Sequence, residues 1–512
     1  MRVSLNDRAN QRGLVAHPPK TTPFIHVRFT DSGPLVHGPA SCVIGYPADG
    51  IYTEWHWNGS ELTLQNDRYG LFPTYYFVGE DQFGLSPSLE QLFALGASTD
   101  LDDTALAVFV RLGYFLGSDT AFRQIRALPA SARLEWQRGH LKVLGQRLKV
   151  KPATIGRNSA IDAYIDLFRA SIARRPPQSS EFGTPLSGGR DSRHILFELC
   201  RAGHPPRFCV TGLKPGGREE DVKVAKLVAA RVGIPHMEIP ESRRPLRQEL
   251  RKNRLTGFCA DEHGWYLGVA DYLTRHSSTV YDGLAGDVLS AGTFTTRERL
   301  DYYEHADHLG LANHLLRAQH ERFLAAALTP DRYRCWSRER ALERLCAEAS
   351  CHQEAANPVA AFFLWNRTRR EIALSPYSLM PQVQRLYLPY LDEELFDFLA
   401  SLPASMVVDH EFHTDTITRA FPEYADVRFE NQSLPERYGS YFFRYARDLA
   451  AYAYLRYPPP RSIRSAHLLP RMIGSMLDRR RHLDGHLLMT HLIQLERFCD
   501  EQRRLQSSGS AE

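Results

Sequence analysis

Residues 183–186, 208–211 and 236–239 are short apolar runs, and two helical patterns, 191–201 and 219–231, lie between them. Each helical pattern is followed by a glycine, Gly203 or Gly233, where a left-handed residue closes a helix. Strand, helix, strand, helix, strand leaves a chain few options. The strands are expected to run parallel and the crossovers to wind right-handed. Ligands of such a sheet sit outside the carboxyl ends of its strands.

The first of those ends carries Ser187-Gly188-Gly189-Arg190-Asp191-Ser192. A helix N-terminus offers unpaired N–H groups and the positive end of its dipole to an anion. Gly188 and Gly189 let the backbone approach closely, since no Cβ intervenes. Ser187 and Ser192 add hydroxyl donors. The carboxylate of Asp191 fits an anion site when a divalent cation stands between it and phosphates. The simpler alternative is a glycine turn with Asp191 as helix N-cap. A second loop, Asp282-Gly283-Leu284-Ala285-Gly286-Asp287, follows an apolar run at 279–281 and again pairs glycines with a carboxylate. Asp191 and Asp287 are thus expected to converge on one metal.

Residues 1–150 read differently. Stretches 24–30, 51–57 and 61–64 alternate aromatic and β-branched residues, with one helix at 103–112 ending near Gly113. Residues 151–160 read as a linker, and an amphipathic helix at 162–173 opens the second domain, 160–455. Its later part is mostly helical, for example 314–327 and 339–349. Tyr457-Pro458-Pro459-Pro460 breaks the chain. Residues 456–512 form a basic helical tail with a polar, disordered end from 506. The expected fold class is α/β and α+β.

Charge excludes little: 63 Lys+Arg against 59 Asp+Glu give +4, so no nucleic-acid partner is implied. The run Arg479-Arg480-Arg481-His482 reads as a solvated helix face. No signal-peptide core and no long apolar run occur, and eight dispersed Cys do not form a disulfide framework. Cys200 and Cys209 read as buried, and Cys346 with Cys351-His352 fits no standard zinc spacing. The expected location is cytoplasmic, with no membrane association. Only 8 of the basic residues are Lys, and none follows Lys252.

These segments resemble a known family. Ser187–Ser192 matches the SGGxDS pyrophosphate loop of the asparagine synthetase-like ATP pyrophosphatases. Residues 282–292 (DGLAGDVLSAG) are similar to their SGEGADELFGG stretch, and Leu388-Pro389-Tyr390-Leu391-Asp392 to their VPFLD segment. In the first domain, 66–76 (NDRYGLFPTYY) and 113–129 (GYFLGSDTAFRQIRALP) resemble their glutaminase domain. The resemblance covers roughly residues 50–435. It implies an N-terminal glutaminase-like αββα sandwich and a C-terminal parallel-sheet PP-loop synthetase domain. It implies adenylation of a carboxylate by ATP with Mg2+, release of pyrophosphate, and amide formation. Ser187, Gly188, Gly189, Asp191, Ser192, Gly283 and Gly286 would bind the nucleotide, and Asp191 and Asp287 the metal.

The chain also departs from the family. The glutaminase Cys is replaced: residue 2 is Arg2, and Cys42 is the one Cys of the first domain. The family's Glu falls at Leu284, which moves no proton. The family's C-terminal Lys has no counterpart, and Arg428 and Arg437 are the nearest cations. Glu262 or His263, in Asp261-Glu262-His263, is expected to supply the missing base, unless Asp261 merely caps a helix. Glu219-Glu220-Asp221 reads as an acidic first turn. The expected function is an AMP-forming amide ligase with an inactive glutaminase domain, similar in plan to β-lactam synthetases and lasso-peptide cyclases. Its substrates would be a small-molecule or peptide carboxylate and an amine, and it would act as a homodimer or beside partner biosynthetic enzymes. The alternatives are an ammonia-using asparagine synthetase and an ATP-binding pseudoenzyme scaffold.

Overall fold

The computed structural model describes residues 23–145, 150–216, 219–381, 383–430, 440–478 and 480–509. The first domain is built on two five-stranded sheets. One has the order Gly33–His37, Ile25–Thr30, Gln82–Ser86, Tyr75–Val78, Ile125–Ala127. The other has the order His140–Gly145, Ala132–Gln137, Leu62–Asn66, Ile51–Trp57, Ser41–Tyr46. Every pairing within them is antiparallel. In Ile51–Trp57 the odd-numbered residues face inward, as strand geometry requires. Trp55, Trp57, Leu64 and Trp136 of one sheet meet Ile25, Val27, Phe83 and Leu85 of the other in a single core. The helix Asp103–Leu112 begins on Asp102, whose carboxylate accepts from the Thr104 and Ala105 amides, and closes on Gly113 at φ 83°.

In the second domain Gly183–Pro185, Phe208–Gly212 and His236–Ile239 pair in parallel. Thr279–Tyr281 lies on the other side of Gly183–Pro185, where Thr184 Oγ1 donates to the Tyr281 carbonyl at 3.1 Å. It pairs in parallel with Arg385–Tyr387. The crossover helices are Asp191–Arg201 and Glu219–Arg231. The helix before them, Arg157–Arg174, starts inside the expected linker.

The helix expected at 314–327 is two helices, His308–Leu315 and Ala318–Ala327. Leu316 leaves helical geometry (φ −85°, ψ 73°) to bury its side chain, which ends the first. The last helix, His486–Gly509, includes residues 506–509 of the end expected to be disordered. Gln506 Nε2 donates to the Phe93 and Ala97 carbonyls at 2.8 and 2.9 Å, which ties this helix to the first domain. No helix among the described residues is long and apolar enough to cross a membrane.

The two domains also meet at a π-helix, Leu364–Ile372. From it Arg369 donates to the carbonyls of Gly70 (3.1 Å), Gly117 (3.2 Å) and Leu128, all in the first domain. Tyr69 Oη donates to the Leu391 carbonyl at 2.8 Å.

Candidate nucleotide and metal site

Outside the carboxyl ends of Gly183–Pro185, Phe208–Gly212 and Thr279–Tyr281 lies a cavity of about 320 Å³. Its walls include Ser187, Gly189, Arg190, Asp191 and Ser192 of the first loop and Asp282, Gly283, Leu284, Ala285 and Asp287 of the second. Lys214, Asp221, His263, Trp265 and Tyr266 complete one side.

The first loop holds its shape through its serines. The Ser187 amide donates to Ser192 Oγ at 3.0 Å, the two hydroxyls lie 3.1 Å apart, and the Gly189 amide donates to Ser187 Oγ at 3.2 Å. Gly188 faces away from the cavity. Its amide donates to Asp221 Oδ1 at 2.6 Å, and a Cβ there would stand 3.0 Å from that of Glu430 and 3.1 Å from that of Val224. A side chain at 188 would press on both neighbours, and the Gly188 amide is engaged by Asp221. Asp191 opens its helix without capping it; Arg190 occupies the cap position and makes no side-chain cap bond.

The second loop approaches the first so closely that only glycine fits at its contacts. A Cβ on Gly283 would lie 2.8 Å from the Asp191 Cβ, and one on Gly286 would lie 2.6 Å from the Asp191 Cγ. Gly286 thus sits behind Asp191, outside the cavity wall. The Asp287 backbone favours the charged form of the Asp191 carboxylate. Asp191, Asp282 and Asp287 share one wall. Burial pushes the carboxyl of Asp191 up to about 7 and those of Asp282 and Asp287 to about 6, and the charge of Asp191 adds to the last two. Half-buried oxygen donors that repel one another suit a hard divalent cation, which would relieve that repulsion.

A buried polar group supports Asp191 from behind. His413 Nδ1 lies 3.4 Å from Asp191 Oδ1 and 3.0 Å from Ser290 Oγ, and its Nε2 lies 3.2 Å from His194 Nδ1. Burial pushes the His413 imidazole down to about 3, so it is neutral and the contact is not an ion pair. Tyr390 Oη donates to the Asp191 carbonyl at 3.2 Å. None of these partners is adjacent to Asp191 in sequence.

Of the residues considered as bases, His263 lines the cavity and Glu262 does not. The Glu262 side chain is 55% exposed, 3.5 Å from Arg367. His263 adopts φ 77°, and its buried Nδ1 has no hydrogen-bond partner among the described residues. Burial holds its imidazole neutral, down to about 3. Glu371, which nothing in the sequence singled out, lies with Glu262 and His263 in a group whose ligand atoms fall within 4.8 Å of one another. Burial first, then Glu262, pushes its carboxyl up to about 8. Arg367, 3.8 Å from Glu371, supplies the positive charge there, which disfavours a second cation.

Arg428 points away. Its side chain is 68% exposed and pairs with Glu220 at 2.5 Å. Arg437 lies outside the described residues. Glu220 and Asp221 do stand in a helical first turn, but Asp221 also reaches the cavity and the first loop. Asp261 caps no helix; Lys252 Nζ donates to its carbonyl at 3.0 Å.

A family model described as asparagine synthase, a family of ATP-dependent amide ligases, matches residues 163–424 of this mixed α/β chain. That is just over half of the chain, and the chain belongs to the asparagine synthase family. No curated protein matches it closely enough to count as a relative.

Proposed function

We propose that this protein is an AMP-forming amide ligase. A carboxylate oxygen of the substrate attacks the α-phosphorus of ATP, the bond to the β-phosphate breaks, and pyrophosphate leaves. An amine nitrogen then attacks the activated acyl carbon, AMP leaves, and the amine gives up a proton. The observation that carries this reading is the contact of the two glycine loops, which brings Asp191 and Asp287 to one cavity wall.

In this reading Ser187, Gly189 and Ser192 meet the phosphates, and Asp191 and Asp287, with Asp282 beside them, hold Mg2+. The bound ion would neutralise charge on the phosphate oxygens. We read the first domain, with its two antiparallel sheets, as a glutaminase-like sandwich without that chemistry; Cys42, the one thiol among residues 23–145, has its acidity weakened by burial, which supports this reading. The proton of the amine passes by way of His263 at the cavity wall to Glu371, whose carboxylate is the stronger base. A carboxyl near 8 is well matched to exchanging a proton near neutral pH.

The test is pyrophosphate release from Mg-ATP with a panel of amino-acid and peptide carboxylates. Release with one carboxylate and amide as product is expected. Release with aspartate alone, giving asparagine with ammonia, would point to the synthetase reaction. ATP binding without release from any carboxylate would point to a scaffold.

A further inference from the structure

The leaving pyrophosphate needs a fixed positive charge, and no lysine follows Lys252. Among the described residues, four arginines of the second domain stand near the cavity or its loops. Three of them are already engaged. Arg193 is buried and donates to the carbonyls of Val427 (2.7 Å), Arg428 (2.8 Å) and Gly188 (3.3 Å). Arg367 faces Glu262 and Glu371, and Arg428 pairs with Glu220.

Arg190 differs from all three. It lines the cavity from within the first loop, one residue before Asp191. It forms no ion pair among the described residues. Its Nε donates to Thr414 Oγ1 at 2.7 Å, and its guanidinium lies 5.1 Å from the Phe429 ring centroid. Those two contacts fix the plane of the fork and leave both Nη groups without a hydrogen-bond partner among the described residues. Thr414 and His413 are neighbours on the helix Phe412–Ala420, so one helical turn positions both Arg190 and Asp191. The other cation of the wall, Lys214, is exposed and lies 4.9 Å from the Trp265 ring, beyond the end of Phe208–Gly212.

We propose that Arg190 is the cation that binds the leaving pyrophosphate, an assignment that rests on the adenylation reading above. As the bond between the α- and β-phosphates breaks, the electron pair stays on the pyrophosphate oxygen. Arg190 meets that growing charge with two parallel N–H donors and transfers no proton. A guanidinium does this bidentately, where an ammonium acts as a point charge.

The experiment is calorimetric binding of Mg-pyrophosphate, with adenosine as a second probe, to the full chain and its variants. Arg190→Gln is expected to weaken pyrophosphate binding by about tenfold or more while leaving adenosine binding and the melting temperature unchanged. Arg190→Lys should recover part of the loss, and Thr414→Val, which frees the fork, should fall between. Unchanged pyrophosphate affinity in Arg190→Gln overturns the proposal, and so does a loss confined to Lys214→Met or Arg428→Gln. If Arg190 governs pyrophosphate binding but no carboxylate supports turnover, the function above fails and the assignment of Arg190 stands. If the unaltered protein does not bind pyrophosphate, both fail.

Discussion

Gly286 and Asp191 stand so close that a single methyl group on the glycine would lie 2.6 Å from the carboxyl carbon of the aspartate. The carboxylate is held by its helix and backed by His413, so it has little room to retreat. Gly286→Ala is therefore expected to displace Asp191 and lower pyrophosphate release by about 100-fold, the cost of misplacing a reacting group by about 1 Å. Gly283→Ala, with its 2.8 Å clash, should behave alike. Turnover within about threefold of the unaltered enzyme for both would show that the loops need not touch.

Asp191→Ala and Asp287→Ala should each abolish Mg2+-dependent turnover, and removal of the metal with a chelator should do the same to the intact enzyme. Rates measured across a Mg2+ titration decide this. Either variant retaining near-normal rates would remove that residue from the metal site.

The Asp191 carboxyl gives a pH test with a defined sign. Burial raises it from 3.8 to about 7, so in the free protein it keeps its proton where the unfolded chain has lost it. Its contribution to stability is full below about pH 4 and is lost as the pH climbs through about 7. Above that, an ionised buried carboxylate burdens the fold. Asp191→Asn should thus raise the melting temperature of the metal-free protein more at pH 8 than at pH 5. Equal shifts at both values would contradict the burial argument.

Lys252, fully buried, joins Glu249 Oε1 at 2.6 Å and donates to the carbonyls of Ala260 and Asp261, just before His263. Lys252→Met should destabilise the chain by about 3 kcal/mol, at the low end for breaking a buried pair. The low end applies because Glu249, already pushed up to about 7, can take a proton once the ammonium is gone, whereas the two carbonyls stay unpaired. The loss should accordingly be smaller at pH 6 than at pH 8, read by denaturant melts. A pH-independent loss would mean that Glu249 stays ionised without its partner.

Much of the site was legible in the sequence because glycine, serine and aspartate at a strand-to-helix turn carry their reason locally. The helices 103–112, 191–201 and 219–231 have the ends expected from their periodicity and closing glycines. What was not legible depends on long-range convergence. Nothing near His413 or Glu371 in sequence announces that they stand beside Asp191 or His263. Asp221 reads as a first-turn carboxylate, which it is, but its bond to the Gly188 amide exists only because helix and loop pack together. Arg428 is the nearest cation by position along the chain, and its direction is set by Glu220. In the first domain, strands such as Gly33–His37 and His140–Gly145 are mostly exposed and carry little alternation to read.

The π-helix Leu364–Ile372 connects two matters that would otherwise be separate. Arg369 grips three carbonyls of the first domain, and two residues later Glu371 stands behind the cavity wall. Carbonyl oxygens belong to every residue type, so mutation can erase the first domain's side-chain chemistry without touching them. The first domain thereby serves as a mould for the wall of its neighbour's cavity, whatever side chains it carries on its own surface.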